Sequence, residues 1–352
     1  MAIPRSVLFI PVSGPSGMGE AARCVAIAQA LCVRWPALQV HFALSAAAPY
    51  LAQVPFPSTL FPSSPTFHPR EVGALIRSLR PTVVVFDNAG RTTQLQAAHE
   101  VGARIVYVSS RRRQRGKAFR LRWMRLLDDH WIAYPSFIAG ATSAWERLKL
   151  RLLGRPNLRY LDALLPAHDA ALAATVGARF GLATGDYVLV VPGGGTTHRG
   201  ALHSPATVAQ AAALLAAAGV STLLVGAEPA APDGALRTCG RLPVAELCEL
   251  IRGARLVIVN GGDTLLQVLA CRRACIAVPM AGDQAHRIAC CARDGLALAG
   301  APDAAGLAAQ ALALLGDSEQ LVALESALAR AALANSLDSV VTRLGELGLG
   351  GD

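Results

Sequence analysis

A glycine-rich turn follows the first apolar run of the chain and opens a helical pattern. It spans residues 13–23 and contains Gly17, Gly19, Glu20 and Arg23. Glycines permit tight turns and close approach of the backbone to a ligand, and a helix start offers backbone N–H groups to an anion or a sugar hydroxyl. Glu20 is either an acid that complements the helix dipole or a carboxylate that acts as a base or sugar ligand in a binding cleft.

Two further turns of this kind lie in the second half of the chain. Residues 191–198 hold three glycines and two threonines, which suit a phosphate cradle, but they lack the Gly-Lys-Ser/Thr of a P-loop, which argues against a kinase or ATPase. Residues 257–267 run from an apolar strand through Gly261 and Gly262 into a helix opened by Asp263 and Thr264. The two glycines let a diphosphate approach the backbone, and the Thr264 hydroxyl can donate to it.

Carboxylates also stand at two other junctions between an apolar run and a helix. Asp283 and Gln284 follow the run Cys275–Val278 and form a carboxylate–amide pair that suits sugar hydroxyls. Asp283 alone would be a plain N-cap, but the order of the paired glycine turns favours a ligand role. Asp87 ends the run Val83–Phe86 and is either a turn cap or a cleft residue on the acceptor side.

Short apolar runs alternate with helical patterns along the whole chain, which predicts βαβ units and parallel sheets. The 352 residues agree with about two domains. We therefore expect an α/β protein of two doubly wound, Rossmann-like domains that face each other across a cleft. The expected boundaries are 1–165 for an acceptor-side domain, 166–317 for a donor domain and 318–352 for a helical tail.

Composition excludes a disordered chain, since 53% of the residues are hydrophobic and 16% are charged. Residues 111–125 contain eight basic residues, Arg112 and Arg115 among them, and no acidic residue. The net charge of the whole chain is +9, so this one segment accounts for most of it. This segment fits an acceptor that carries phosphate groups, an anionic membrane surface or a solvated helix. Nucleic acid is disfavoured because no nucleic-acid motif accompanies the charge.

The cysteine pattern predicts neither zinc nor disulfides. The eight cysteines include no CxxC pair and no zinc-finger spacing with histidine, which favours reduced, mostly buried thiols. No secretory signal and no membrane-length apolar run is recognisable. We expect a cytoplasmic protein, with peripheral attachment to the inner face of a membrane left open and no oligomeric state indicated.

The motifs of the second half resemble the donor-binding half of the GT-B superfamily of nucleotide-sugar enzymes. The resemblance lies in Asn260 to Leu265, then Ala274 to Pro279, then Gly282 to Gln284. Two branches are the most similar: the murein-precursor N-acetylglucosaminyltransferase and the nucleotide-sugar hydrolase of pseudaminic acid biosynthesis. The stretch 158–166 resembles the linker of the hydrolase.

The resemblance implies a place for each motif at a donor site. The turn at Gly194, Gly195 and Thr196 would face the diphosphate, and the backbone around Leu242 would meet the nucleobase. Phosphate oxygens would be held around the turn formed by Gly261, Gly262, Asp263 and Thr264. Asp283 and Gln284 would touch the donor sugar, which the resemblance implies is carried by UDP or dTDP, without a metal or other cofactor.

Two positions depart from the family pattern. Glu20 stands where a histidine often serves as the base, and Gln267 stands where a glutamate usually binds ribose hydroxyls. We predict a glycosyltransferase that uses Glu20 or Asp87 to deprotonate an anionic acceptor, such as a lipid-linked precursor or lipopolysaccharide of the cell envelope. A nucleotide-sugar hydrolase and a non-catalytic binding protein are the alternatives. The predicted acceptor side consists of Gly17, Gly19, Arg23, Arg112 and Arg115.

Overall fold

The alternating pattern folds into two separate parallel sheets. The computed structural model describes residues 5–14, 18–193, 203–229 and 234–350. The chain divides into unit 1, which comprises residues 1–164 and 336–352, and unit 2, which comprises residues 165–335. Each unit is built around its own sheet, and each sheet is apolar because helices cover its faces.

Unit 1 contains a seven-stranded sheet in the order β3-β2-β1-β4-β5-β6-β7, with all neighbours parallel. Its strands are β1 (Ser6–Pro11), β2 (Gln39–Ser45), β3 (Ser58–Phe61), β4 (Val83–Asp87), β5 (Arg104–Ser109), β6 (Asp129–Ile132) and β7 (Asn157–Tyr160). The helices between them are α1 (Gly19–Arg34), α2 (Pro69–Leu79), α3 (Thr92–Glu100), α4 (Arg112–Ala118), α5 (Leu121–Met124), α6 (Ser136–Ala139) and α7 (Ala144–Leu153).

Unit 2 contains a six-stranded sheet in the order β10-β9-β8-β11-β12-β13, again all parallel. Its strands are β8 (Val188–Val191), β9 (Thr222–Val225), β10 (Leu236–Cys239), β11 (Leu256–Asn260), β12 (Cys275–Val278) and β13 (Leu298–Ala299). Its helices are α8 (Ala170–Phe180), α9 (Pro205–Ala217), α10 (Val244–Gly253), α11 (Asp263–Ala270), α12 (Gln284–Arg293), α13 (Ala304–Gly316) and α14 (Ser318–Ala331).

Both sheets reverse their strand order at one point. In unit 1 the reversal lies between β1 and β4, and in unit 2 it lies between β8 and β11. Open parallel sheets bind ligands at this point, outside the carboxyl ends of the strands. The topology therefore selects two places for a site: the ends of β1 and β4 in unit 1, and the ends of β8 and β11 in unit 2.

The last helix, α15 (Leu337–Leu344), belongs to unit 1. It packs against α1 through Leu337, Val340 and Leu344, which lie in the core of that unit. Arg343 donates from Nε and Nη2 to the buried Asp129 carboxylate at 2.7–3.1 Å. A final turn follows, Gly345–Leu349. The helix thus closes the sheet face on which it lies.

The structure corrects two expectations about the helical segments. The predicted tail 318–352 is divided, because the apolar residues of α14 join the core of unit 2 whereas those of α15 join the core of unit 1. The basic segment is two short helices, α4 and α5, with a break at Phe119 and Arg120. Among the described residues, no helix combines the length and the apolarity needed to cross a bilayer.

Candidate functional site

The turn after β11 in unit 2 is organised by one buried asparagine. The Asn260 side-chain oxygen accepts a hydrogen bond from the Gly262 backbone N–H at 2.7 Å. Its Nδ2 lies 3.5 Å from the Val191 carbonyl oxygen, at the end of β8. Asn260 is only 6% exposed, so it ties together the two strand ends that flank the order reversal of this sheet.

Three glycines around Asn260 have no room for a side chain. A Cβ on Gly262 would lie 2.5 Å from the Asn260 Oδ1, and one on Gly261 would lie 2.9 Å from the Gln284 Cβ. Gly193 adopts a φ of +103°, and its Cβ would lie 2.8 Å from the Asn260 Nδ2. A side chain at any of these three positions would force the neighbouring side chain to shift, because real Cβ atoms essentially never come within 3 Å of another heavy atom. The turn thus presents bare backbone.

The residues that open α12 hold this turn from the other side. The Gln284 Oε1 accepts from the backbone N–H groups of Gly261 at 3.1 Å and Met280 at 2.8 Å. Arg287, which is buried, donates from Nη1 to the Gly261 carbonyl at 2.6 Å and pairs with Asp283. The Gln284 side-chain oxygen is therefore used within the turn, and the contact of Gln284 with a donor sugar stays a prediction. The Asp283 side chain is 47% exposed.

The first turn of α11 places the other predicted donor contacts. Asp263, Thr264 and Gln267 are half-buried, and Thr264 and Gln267 share a helix face because they are three positions apart. The Asp263 carboxylate complements the helix dipole. Leu242 is half-buried and lies in the segment between β10 and α10. Three predicted diphosphate contacts lie outside the described residues: Gly194, Gly195 and Thr196.

At the strand ends of unit 1, Asp87 forms a buried ion pair. Arg23 donates to it from Nε at 2.7 Å and from Nη2 at 3.1 Å, so both carboxylate oxygens are engaged. Asp87 is fully buried and Arg23 is 8% exposed. Burial and the nearby Asp87 charge raise the pKa of the Cys24 thiol. The pair joins α1 to β4, which argues against Asp87 as the base and against Arg23 as an acceptor ligand.

Unlike Asp87, Glu20 forms no ion pair within the described part of the chain. It lies half-buried in the first turn of α1, and its Oε1 accepts from the Asn88 Nδ2 at 2.9 Å. Asn88 adopts a φ of +51°, and its Oδ1 accepts from the Ser110 backbone N–H at 2.9 Å. The pKa of the Tyr50 hydroxyl is raised, mainly because Tyr50 is buried and to a smaller extent because the negative charge of Glu20 lies nearby. This arrangement fixes one carboxylate oxygen of Glu20.

Asn88 and Ser110 belong to this arrangement although no sequence motif assigned them to it. Both follow directly after the ends of neighbouring parallel strands, β4 and β5. The available signal was the asparagine directly after a strand, because asparagine tolerates the left-handed backbone conformation. Of the two predicted glycines, Gly19 opens α1, whereas Gly17 lies outside the described residues.

Arg115 is a structural residue rather than an acceptor ligand. Its Nε and Nη2 donate to the Glu146 carboxylate at 3.1 and 2.7 Å. Its remaining N–H groups donate to the carbonyls of residues 139, 140 and 141 at 2.8–3.1 Å. All five guanidinium donors are therefore used, and the prediction for Arg115 is corrected. Arg112, in the same helix, is exposed.

The described residues include no group of three or more histidine, cysteine, aspartate or glutamate side chains that could hold a metal ion. The eight cysteines are free thiols, and six of them are buried. Burial raises the pKa of Cys239 to about 11 and that of Cys271 to about 11. Cys239 and Cys271 are therefore protonated at neutral pH.

Solved structures share the fold over nearly the whole chain. LpCGTa in complex with UDP matches with a TM-score of 0.68 and 14% identity, covering 99% of this chain and 100% of that one. UGT89C1 of Arabidopsis thaliana complexed with UDP matches with a TM-score of 0.64 and 13% identity, covering 97% of this chain and 100% of that one. The spinosyn forosaminyltransferase SpnP matches with a TM-score of 0.63 and 15% identity, covering 97% of this chain and 98% of that one.

No protein-family model matches the chain, and no curated protein matches its sequence. At identities this low, the structural likeness establishes the fold. The chain has the α/β fold of the GT-B type, with two Rossmann-like parallel-sheet domains, as the sequence predicts.

Proposed function

We propose that this protein is a glycosyltransferase that moves a sugar from a nucleoside diphosphate to an acceptor hydroxyl. The observation that carries the proposal is the Asn260–Gly262 turn, whose glycines are sterically required and which lies at the order reversal of unit 2. The solved structures support it, because two were obtained with UDP and one is named a forosaminyltransferase.

The donor would lie against the start of α11. The first amides of a helix lack an intrahelical carbonyl, and the helix dipole favours a diphosphate there. Thr264 supplies its backbone N–H and its hydroxyl, and Gln267 reaches ribose from one turn further along the same face. The exposed part of Asp283 would meet the donor sugar, and the backbone at Leu242 the nucleobase. UDP and dTDP are the nucleotides that we propose.

Glu20 is the proposed base. The acceptor hydroxyl would give its proton to the Glu20 carboxylate while its oxygen forms a bond to the anomeric carbon of the sugar. The bond from that carbon to the diphosphate breaks, and the nucleoside diphosphate leaves with the electron pair. The Asn88 hydrogen bond holds one Glu20 oxygen, which leaves the other oxygen to receive the proton.

The acceptor is proposed to be anionic. Arg115 does not contribute, since its donors are used internally, but Arg112 and Arg113 of α4 are exposed. A specific relationship to the murein-precursor transferase or to the pseudaminic acid hydrolase stays a prediction from the sequence motifs. A hydrolase would use the same donor site with water in place of the acceptor.

Calorimetric melting with UDP, dTDP, GDP and CMP tests the donor site. A nucleotide at about 100 times its Kd should add about 2.7 kcal/mol to the stability of unit 2. Gly262→Ala should abolish the gain because its Cβ would meet Asn260, and Thr264→Val should reduce it without changing the turn. Gly316→Ala is the matched control, since its Cβ would meet nothing within 4 Å. Absence of any shift with all four nucleotides would contradict the proposal.

Turnover separates the transferase from its alternatives. Nucleotide release that requires an acceptor supports a transferase, whereas release with free sugar and no acceptor supports a hydrolase. Tight nucleotide binding with no release from any donor supports a non-catalytic binding protein. Glu20→Gln should abolish release while leaving the UDP melting shift intact; unchanged turnover in this variant would remove Glu20 from the mechanism.

A further inference from the structure

Helix α7 carries an apolar stripe on its outer surface. Trp145 is 64% exposed, Leu148 is 41% exposed and Leu152 is 74% exposed. The three residues lie at i, i+3 and i+7, so they share one face and extend about 10 Å along the helix axis. Large apolar side chains exposed as a group on one short helix mark an interaction surface.

Contacts beside the stripe anchor α7, so the orientation of the stripe is fixed: Lys149, whose Nζ lies 5.4 Å from the centre of the Trp145 ring, is one of the anchoring residues. Ser143 caps the helix by accepting from the Glu146 backbone N–H, and Glu146 binds Arg115 on α4. Lys149 donates to the Phe119 carbonyl at 3.0 Å, just before α5. The stripe is therefore held outward by contacts that join α7 to the basic segment.

The surface around the stripe is strongly basic. Glu146, the acid on α7, is neutralised by Arg115, and the segment 111–125 contains no acid at all. The arginines of this region that the structure leaves exposed are Arg111, Arg112, Arg113, Arg120, Arg122, Arg125, Arg147 and Arg151. Positive charge thus borders a two-turn apolar face, which is the composition of a helix that lies in a membrane interface.

We propose that α7 and the basic segment form a surface that docks on an anionic lipid bilayer. The helix lies in the plane of the interface, with Trp145 and Leu152 at the boundary between headgroups and acyl chains and the arginines on lipid phosphates. RNA would satisfy the charge but would leave the apolar stripe in water, so the stripe decides between the two partners. The proposal does not depend on the proposed enzymatic function.

Vesicle flotation of the full chain tests this docking. The protein should float with vesicles of phosphatidylcholine and about 30 mol% phosphatidylglycerol, should not float with pure phosphatidylcholine, and should be released by salt. Trp145 is the exposed tryptophan, while Trp123 and Trp131 are buried and Trp35 is half-buried. Binding should therefore shift tryptophan emission to the blue, and brominated lipid should quench it; Trp145→Phe should float yet lose this response.

Vesicle binding is compared between a variant with substitutions in the stripe and a control variant with a substitution outside it. Trp145→Ser with Leu152→Ser should weaken partitioning about tenfold or more, because two apolar side chains no longer enter the interface. Val322→Ser is the control, since Val322 is 61% exposed on α14 in unit 2. No flotation with anionic vesicles, wild-type flotation of the double variant, or binding of poly-uridylate in place of vesicles would overturn the proposal.

Discussion

Replacement of Asp87 by asparagine tests whether this carboxylate is structural or catalytic. Asp87 accepts two charge-assisted hydrogen bonds from Arg23, and each such bond contributes about 1.5–3 kcal/mol. The Arg23 side chain is 6% exposed, so the variant leaves a guanidinium charge in the interior. Removal of one partner of a buried pair costs about 3–5 kcal/mol, and we expect Asp87→Asn to lower the free energy of unfolding of unit 1 by that amount.

Tryptophan fluorescence reports this unit selectively. All four tryptophans, Trp35, Trp123, Trp131 and Trp145, lie in unit 1, so urea unfolding followed by their emission records the stability of that unit alone. With an m-value of about 2 kcal/mol per molar, a loss of about 4 kcal/mol shifts the midpoint by about 2 M urea. Circular dichroism in the same titration records both units.

Two controls complete the test. Arg23→Met with Asp87→Leu replaces the pair by apolar side chains and should recover much of the lost stability, because no charge then remains buried. Arg104→Met breaks the exposed ion pair with Asp128, in which Arg104 is 60% exposed, and should cost less than about 1 kcal/mol. If Asp87→Asn keeps its urea midpoint but loses sugar transfer, Asp87 is catalytic and the structural interpretation fails.

Three further predictions follow from other contacts. Asn88→Ala should lower kcat about tenfold with little change in the KM for the donor, because Glu20 loses the hydrogen bond that orients it. Burial, with a smaller contribution from a nearby arginine, lowers the pKa of His130 to about 3, so between pH 3 and 6.5 the unfolded chain binds a proton that the folded unit does not. The free energy of unfolding of unit 1 should therefore fall by about 1.4 kcal/mol for each pH unit below 6.5, and His130→Gln should lose this slope in urea titrations. Arg343→Met leaves Asp129 buried without its guanidinium partner and should speed proteolysis within 336–350.

Each of these predictions has a matched variant. Asn88→Gly also removes the hydrogen-bond donor but tolerates the φ of +51°, so its kcat should fall while stability is retained; wild-type kcat would refute the positioning role. His99→Gln, at an exposed position, should leave the pH slope unchanged. Arg34 is exposed on α1, so Arg34→Met should not alter the rate of proteolysis. If Arg343→Met were cleaved within 336–350 no faster than the unchanged protein, its ion pair with Asp129 would be dispensable.

The central strands could be read from the sequence because both of their faces are buried. The apolar runs Val83–Phe86 and Cys275–Val278 lie within β4 and β12. The strands that escaped prediction, β3, β7 and β10, stand at the edges of the two sheets. Most of their residues are exposed or half-buried, so they carry no continuous apolar run.

The positions of the glycine turns were predicted from the sequence, but the side-chain pairings around them were not. Glycine turns after strands located the ends of β8 and β11 correctly, since that signal is local. Arg23 and Asp87, in contrast, are 64 positions apart, and Arg115 and Glu146 are 31 apart. A charged residue in a sequence shows its type and not its partner, so ligand roles were expected for side chains that the fold had already engaged.

The return of α15 to unit 1 gives the two units an order of completion during synthesis. Unit 2 is one continuous stretch and can close once residue 335 has left the ribosome, whereas unit 1 waits for residues 336–350. Until they arrive, Asp129 lacks Arg343 and the apolar face of α1 lies in water, which exposes the nascent chain to aggregation. A premature stop codon just before α15 would therefore damage the amino-terminal unit and leave the carboxy-terminal unit whole.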